Sequence, residues 1–512
     1  MVLGRVKPQG SLLETRHMRR HLVTKGSFYE RLADHGDEIV TDDDFADLYA
    51  PRMGRPSIPP SVMVRAMLCA THDKTSDEET SRRSRVDADW KAAMGVDDDF
   101  LGIGATTFSL MRARMLAHDA DATLFEKTLQ KAVAKGILRG KLTAIIDSSP
   151  VHGAGAVADT YELIRAAIAK LVAATGGPKV LPSRLRKDAR TAVRGKAVVD
   201  WADATARRAE LDRLVGLARA LLALPVDDAA AEARELLARI VGQDVTDTDD
   251  GPAIGQGVAA DRVVSVVDPE MRHGRKSSSK RVDGYKAHVL TDHDSELILG
   301  VSVTPANDPD GPEAAPLVAA ARGRGVPVAE VLGDTAYGDG DTRVAVEAAG
   351  AKITAKTQPP PSTGRFVKTD FTIDPDTPSA TCPAGHVATH TTTSRDHKGR
   401  KLTALHFGAE ICGACPLRER CTTNPKGRSI TLNFHEARLQ AARAEQTRAS
   451  TRRKLRRRAL VERKLAETKR HGAGKARYRG TRKVLLQQRL TAAMVNLKRL
   501  FTIDPTFGAP SA

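Results

Sequence analysis

The sequence contains little cysteine, no long apolar run and none of the common nucleotide-binding or zinc-protease motifs. Five Cys among 512 residues are too few for a disulfide-stabilised scaffold, which favours a reducing cytoplasm. No stretch approaches the ~20 apolar residues of a membrane span, and the N-terminus has no apolar signal-peptide core. A P-loop, an HExxH motif and a complete dinucleotide-binding glycine fingerprint are absent, so nothing supports nucleotide hydrolysis or zinc proteolysis. We therefore expect a cytoplasmic protein that does not enter a membrane.

What the sequence does contain is excess positive charge, concentrated near its end. Hydrophobic residues make up 41% and charged residues 28%, the balance of a folded soluble protein, and the net charge is +17. Residues 451–480 hold thirteen Lys and Arg against two Glu, a local charge of +11. Such a run is a solvated helix face, a disordered basic tail or a polyanion-binding surface. Apolar residues at helical spacing within it favour an ordered helix, and the clustered charge favours a nucleic-acid partner.

The first third of the chain predicts short helices and no strands. After a lead-in over residues 1–30, helical patterns occupy about 31–118, with one helix over 61–71 and a second starting at Thr75 or Ser76. A third begins after Thr106 and Thr107. Three short helices with polar turns are typical of a helix-turn-helix-like DNA-binding unit, and equally of an oligomerisation or packing domain.

The remaining chain, about residues 140–502, predicts an α/β domain with a mixed sheet that is interrupted twice. Apolar, strand-like runs occur at 141–148, 285–291, 297–304 and 326–332, the middle two forming a hairpin. A helical insert over 158–245 separates the first run from the hairpin. A Pro/Thr/Gly-rich insert with Cys covers 357–432, before two helices at 435–471 and 478–502. The architecture is therefore a mixed sheet with two inserts, preceded by an all-α N-terminal domain.

Three acidic residues occupy positions suited to chemistry. Asp147 ends one apolar run, Asp334 ends another, and Glu462 lies in the basic helix. Side chains at the carboxyl ends of neighbouring strands converge on a crevice where ligands bind. Three carboxylates there suit Mg²⁺ or Mn²⁺, and a pair of such ions clamps a phosphodiester undergoing in-line displacement. Taken singly, each Asp is also typical of a turn or helix cap, and Glu462 of a surface ion pair.

Four segments carry a family resemblance: AIIDSSPVHGAGAVADTYELIR, GRKSSSKRVDGYKAHVLTD, VLGDTAYGD and RRALVERKLAETKRHGAGKARYRGTRKVLLQQRLTAAMVNLKRL. In this order they resemble the DDE transposases of bacterial insertion sequences, specifically the branch with an InsH-type N-terminal domain before an RNase H-like catalytic domain. The similarity extends over about residues 40–502. The related Arg-x3-Glu-x6-Lys signature is present as Arg458, Glu462 and Lys469, whereas Leu455 stands where related signatures place a tyrosine.

The resemblance implies a catalytic triad of Asp147, Asp334 and Glu462 that holds two Mg²⁺ or Mn²⁺ ions, with Asp147 bridging them. It implies end cleavage that frees a 3′-hydroxyl, followed by direct attack of that hydroxyl on target DNA. Double-stranded DNA, as element ends and target, is the implied partner, and pairing two ends implies a homodimer or larger. The basic residues expected to contact DNA are Arg458, Lys469, Arg463, Lys286 and Arg479. His288 alternates with Lys286 and is either a further DNA contact or a structural histidine.

Four of the five cysteines lie within one short segment. Cys412 and Cys415 are spaced as a knuckle, Cys421 follows, and Cys382 precedes them by thirty residues. These thiols could close a tetrahedral Zn²⁺ site, with His386 or His390 replacing one of them. The alternative is a knuckle with free thiols. Cys69, in an apolar helix, predicts core packing.

Three functions are compatible with these features. The first is a DDE transposase, a polynucleotidyl transferase active in DNA recombination. The second is a catalytically inactive DNA-binding derivative, and the third is an RNase H-like nuclease that cuts without strand transfer. The transposase is favoured because its motifs occur in the family's order along nearly the whole chain.

Overall fold

The computed structural model describes residues 1–6, 11–52, 54–195, 199–275, 279–361 and 364–504. Residues 7–10 of the predicted lead-in, 196–198 and 362–363 of the predicted inserts, and 276–278 of the second family segment lie outside these ranges. The described N-terminal part is helical: α1 (Thr15–Met18), α2 (Phe28–Ile39), α3 (Pro60–Asp73), α4 (Asp77–Val86), α5 (Ala88–Met94), α6 (Ala105–Ala117) and α7 (Thr123–Ala134).

The rest of the chain alternates strands and helices. It runs through β1 (Leu142–His152), α8 (Thr160–Ala174), α9 (Ser183–Val193), α10 (Ala204–Leu222), α11 (Asp228–Asp244), β2 (Val245–Thr248), β3 (Gly251–Ile254), β4 (Arg272–Arg275), β5 (Arg281–Asp292) and β6 (Ile298–Pro305). It continues through α12 (Ala314–Gly323), β7 (Val328–Leu332), α13 (Gly340–Ala348), β8 (Lys352–Thr354), β9 (Thr372–Asp374), β10 (Ser379–Thr381), β11 (His390–Arg395) and β12 (Lys401–His406). It ends with α14 (Ala409–Gly413), α15 (Arg418–Cys421), β13 (Ser429–Leu432), α16 (Glu436–Gln446), α17 (Ala449–Arg456), α18 (Ala459–Arg470) and α19 (Thr481–Ile503).

Two of the N-terminal helices begin at residues that favour a helix start. The Ser76 hydroxyl accepts a hydrogen bond from the Glu79 amide at 3.2 Å, which caps α4 as the sequence predicts. Pro60 occupies the first turn of α3, where a missing amide proton costs nothing. Thr15 is buried and its hydroxyl donates to the Val96 carbonyl, so part of the predicted lead-in packs against the helices.

The central sheet is mixed and has six strands, in the order β4-β5-β1-β7-β8, with β6 paired to β5. Strand β1 is antiparallel to β5 and parallel to β7, and β7 is parallel to β8. A mixed α/β fold is thus confirmed. β1 was predicted to end near Asp147 and instead continues to His152, because its antiparallel pairing with β5 extends past the last residue paired with β7. Asp147 therefore lies just beyond the parallel part of the strand.

One apolar core joins the N-terminal helices to this sheet. It contains Trp90 from α5, Ile145 from β1 and Leu497 from α19, all fully buried. Helix α19 packs on β6, α3 and α7, and its buried Asn496 uses its amide to pair with both backbone groups of Ile298. The N-terminal helices are therefore fixed relative to the sheet.

Helices α8–α11 have a separate apolar core, built around residues such as Ile168, Leu214 and Leu237. The long connection from β1 to β4 is therefore a helical unit with its own interior. Its last helix is anchored by a buried Asp244 carboxylate that accepts from Arg262 at 2.6 Å and from the Thr160 hydroxyl at 2.9 Å.

The Cys-bearing segment also has a small core of its own, and the helices after it are shorter than predicted. Strands β11, β12 and β13 form a sheet over Phe371, Leu405 and Phe407. The single helix predicted over 435–471 is three helices, α16, α17 and α18. Among the described residues, no helix has the length and apolar character needed to cross a membrane.

Candidate active site

The three predicted acids line one cleft. Its volume is about 770 Å³, and its walls come from β1, β5, the loop after β7 and helix α18. Asp147, Asp334 and Glu462 all contribute to it, although 187 and 128 residues of chain separate each from the next. Folding therefore brings together the residues that the sequence singled out.

Asp147 is half-buried, and its side chain is 18% exposed. Its Oδ1 accepts a hydrogen bond from the Ser148 amide at 2.8 Å, and its Oδ2 lies 3.7 Å from Nη2 of Arg458. Burial raises the pKa of Asp147, the nearby Asp334 and Asp310 raise that pKa further, and the Ser148 amide and Arg458 oppose the rise. The negative charge at this position is thus only partly compensated by the protein itself.

Asp334 and Glu462 reach the cleft in different ways. Asp334 follows β7, and its Oδ1 accepts from the Ala336 amide at 2.8 Å, so it caps the short turn that follows. Glu462 lies in the first turn of α18 and is exposed, while its neighbour Val461 is buried against the sheet. Asp334 is therefore both a cap, as its position after a strand also predicts, and a cleft residue.

A fourth acid, Asp310, was missed by the sequence reasoning. Its Oδ1 accepts from Nζ of Lys286 at 2.6 Å and its Oδ2 from the Ser148 hydroxyl at 3.0 Å. It lies in the loop between β6 and α12, so neither a strand end nor a helix pattern marks it. The one available signal was the acidic Asn307-Asp308-Pro309-Asp310 sequence just after the hairpin.

The basic residues predicted to contact DNA are divided by the structure. Arg458, Lys469 and Lys286 line the cleft, together with Arg275, which was not predicted. Arg463 lies outside it and donates to Glu296 at 2.8 Å, and Arg479 is exposed away from it.

His288 does not reach the cleft surface. It is fully buried, with Nε2 2.9 Å from the Thr304 hydroxyl and Nδ1 3.4 Å from the Tyr337 hydroxyl. Of the two readings that the sequence left open, the structure therefore favours a structural histidine.

The described part of the chain contains no group of three or more His, Cys, Asp or Glu side chains arranged to hold a metal ion. Cys382, Cys412, Cys415, Cys421 and His386 do line one small, mostly apolar pocket. Burial raises the pKa of the Cys421 thiol, and the other three sulfurs raise it further. His390 instead stacks on His406 in the adjacent hairpin. The predicted zinc site is therefore not supported, and Cys382, Cys412 and Cys421 pack against the small core of this segment.

Two family models match the chain. A model described as Transposase domain (DUF772) matches residues 17–114, and one described as Transposase DDE domain matches residues 381–501. Both models describe transposase domains. The resemblance to the insertion-sequence DDE transposases, with their additional N-terminal domain, is thereby confirmed. No curated protein sequence matches the chain.

The two matched segments lie on different parts of the structure. The first covers α2–α5 and parts of α1 and α6. The second covers the four clustered cysteines, Glu462 and most of α19. Asp147 and Asp334 lie between the matches, in the part of the chain that contributes most of the central sheet.

Proposed function

We propose that this protein is a DNA transposase that cleaves the ends of its own insertion sequence and joins them to target DNA. The observation that carries the proposal is the meeting of Asp147, Asp334 and Glu462 in one cleft that Arg458, Lys469 and Lys286 also line. The acidic side chains are suited to holding the divalent cations that promote phosphodiester transfer, and the basic side chains are suited to neutralising the phosphates of DNA.

The sheet supports an RNase H-like catalytic domain over residues 140–502. Reading outward from β1, the antiparallel strands β5 and β6 lie on one side and the parallel strands β7 and β8 on the other. Asp147 and Asp334 each follow the last parallel pair of β1 and β7, Ile145 and Leu332, by two residues, which supports their lying at the same end of these two strands. The proposal assigns residues 31–118 to an N-terminal DNA-binding domain, and 158–245 and 357–432 to inserts.

The acids of the cleft fit divalent cations in their donor chemistry, although they do not form a closed cage. Carboxylate oxygens are the ligands that Mg²⁺ and Mn²⁺ prefer, and the raised pKa of Asp147 marks negative charge without full compensation. Asp147, Asp334 and Glu462 would hold such ions. When bound, the ions activate the attacking oxygen and stabilise the leaving one.

The chain's own residues bind and orient the DNA. Lys469 and Lys286 offer ammonium groups to phosphates, and a hydrogen bond to Asp310 orients the Lys286 side chain. Arg458 faces the same space and offers a planar, two-pronged donor.

The proposed reaction has two balanced steps. In the first, water attacks the phosphodiester at an element end, a new P–O bond forms, and the element's 3′ oxygen leaves with a proton. In the second, that 3′-hydroxyl attacks a phosphodiester of target DNA and one P–O bond replaces another, so no external energy source is needed. Pairing two element ends in this reaction calls for a homodimer or larger assembly.

The test is an end-cleavage and joining assay with purified protein, Mg²⁺, and a linear DNA carrying the sequences that flank its coding region. We expect cleaved and joined products from the wild type and neither from Asp147→Ala. A matched control is Asp249→Ala, which removes an exposed acid from the β2–β3 turn.

The two rival functions give different results in this assay. DNA binding without cleavage by the wild type would identify an inactive derivative. Cleavage without joined products, including from a pre-cleaved end, would identify a nuclease. Either result overturns the proposal.

A further inference from the structure

A second cleft adjoins the first and shares Asp334 and Arg458 with it. Its volume is about 620 Å³, and it is lined by the loop after β7, by Lys356 and by helix α17. Of the acids in the first cleft, only Asp334 lines this one. The second cleft therefore does not contain all three acids of the proposed reaction, but it adjoins the first cleft, which does.

Of the four basic side chains that line this cleft, Arg458 is paired with Asp147, and the other three are not neutralised by the residues that the structure describes. Arg452, Arg456 and Lys356 are exposed, and none forms an ion pair among the residues that the structure describes. Two cations close to Arg452 and Arg456 in the chain differ: Lys454, on α17, pairs with Glu330 at 2.9 Å, and Arg457, just after this helix, pairs with Asp294 at 3.3 Å. Arg453 on α17 is likewise exposed but lines neither cleft, so Arg452 and Arg456 are the unpaired cations that this helix contributes to the second cleft.

The spacing of these residues suits a strand of nucleic acid. Arg452 and Arg456 are four residues apart and so share one face of α17, and Leu455 lies beside them on the cleft wall. A strand alternates charged phosphates with apolar sugar and base surfaces, which matches cations flanking an apolar side chain. Leu455 is also the residue that stands where related signatures place a tyrosine, so the wall of the cleft is aliphatic at this position.

We propose that this second cleft holds the target DNA, while the first holds the element end. The inference rests on the proposed function, because joining requires two DNA molecules at one set of acids. The element end lies along Lys469 and Lys286, and the target strand lies along Arg452, Arg456 and Lys356. The two strands meet at Asp334 and Arg458, which are common to both clefts. There the 3′ oxygen of the end bonds to the target phosphorus, and the target's own 3′ oxygen leaves with the proton.

The experiment compares the double variant Arg452→Ala/Arg456→Ala with Arg448→Ala/Arg453→Ala. The control removes the same charge from α17 and its N-cap residue, at exposed positions that line neither cleft. Two reactions are measured for each protein: cleavage of a duplex carrying an intact element end, and joining of a pre-cleaved end to a supercoiled plasmid. We expect the ratio of joining to cleavage to fall at least tenfold in the cleft variant and less than twofold in the control.

A second measurement does not depend on catalysis. Binding of a random-sequence duplex is measured by fluorescence anisotropy at several salt concentrations, with a pre-cleaved end already bound. Losing two phosphate contacts lowers the slope of log K against log salt by about 2 in the cleft variant. An unchanged slope overturns the proposal.

The remaining outcomes separate this inference from the proposed function. If the cleft variant loses cleavage and joining equally, or if the control falls as far, the second cleft does not hold the target, although the protein remains a transposase. If the wild type neither cleaves nor joins, the proposed function fails and this inference fails with it.

Discussion

Nη2 of Arg458 lies 3.7 Å from Oδ2 of Asp147, so the residue that precedes the Glu462 helix contacts the acid on the central strand. This guanidinium is the cation nearest to a carboxylate whose pKa is raised by burial. It is also common to both clefts. Arg458 therefore both lowers the pKa of Asp147 and forms part of the wall between the two clefts.

Replacing Asp147 by Asn is expected to stabilise the metal-free protein at neutral pH. Burial raises the pKa of this carboxyl, so keeping it ionised in the folded state costs free energy that a neutral amide avoids. A folded-state pKa above the unfolded value means that the wild type gains stability as pH falls through the folded pKa, and the advantage of the variant then shrinks. The expected gain is on the order of 1 kcal/mol at pH 8, measured by thermal unfolding in EDTA from pH 4 to 8. A variant less stable than wild type at pH 8 would contradict this.

Replacing Arg458 by Met is expected to destabilise the metal-free protein more at pH 8 than at pH 5. Arg458 lowers the pKa of Asp147, and its loss leaves an ionised, buried carboxylate with less compensation. Once Asp147 is protonated, the missing cation matters less. Arg458→Lys keeps the charge and serves as the control. Equal losses at both pH values would show that the guanidinium acts through packing alone.

Lys286 and Asp310 are expected to be energetically coupled. Their Nζ–Oδ1 distance is 2.6 Å, and their side chains are only 21% and 15% exposed, so the pair is poorly screened by solvent. Urea unfolding of Lys286→Met, Asp310→Asn and the double variant forms a double-mutant cycle, and we expect a coupling of roughly 1 kcal/mol or more. A value near zero would mean that Asp310 does not position the lysine.

Lys469 is expected to account for about one phosphate contact. It lines the first cleft, whereas the adjacent Arg470 is exposed on α18 away from it. Lys469→Ala should lower the slope of log K against log salt for element-end DNA by about 1, while Arg470→Ala leaves it within error. Binding isotherms at 50–200 mM salt measure both slopes. Equal slopes for the two variants would place the DNA elsewhere.

Asn496 is expected to stabilise the junction between α19 and β6. Its side-chain amide pairs with the amide of Ile298 at 2.8 Å and with its carbonyl at 2.9 Å, all within the core. Asn496→Leu leaves both backbone groups buried without partners, which costs roughly 2–4 kcal/mol. Chemical denaturation measures the loss, and Thr502→Ala, at the exposed end of the same helix, is the control.

The sequence predicted correctly those helices and strands that are determined by residues close together in the chain. The hairpin of β5 and β6 and the helix at 61–71 follow from apolar periodicity and a polar turn, and Ser76 caps its helix because the bond is local. The approach of Asp147 to Asp334 was predicted because both follow apolar strand residues, whose carboxyl ends meet at one sheet edge. The place of Glu462 came from the family resemblance.

The features that sequence reasoning missed are set by long-range packing. Asp310 enters the cleft from a loop whose course depends on β6 and α12, so no periodicity marks it. The end of β1 depends on its pairing with β5, more than a hundred residues later. The predicted helix over 435–471 divides into three, although its residues favour helix throughout, because α16 packs against α13 and α18 against β1. Domain boundaries, DNA contacts and metal binding remain predictions.

The end of β1 is joined to the segment that follows α18. The His152 amide donates to the Gly474 carbonyl at 3.0 Å, and the Ala476 amide donates to the His152 carbonyl at 2.7 Å. The strand bearing the first acid and the helix bearing the last are thus fastened at a common point by main-chain bonds. A swing of α18 that carried Glu462 far from Asp147 would therefore have to break these two main-chain bonds.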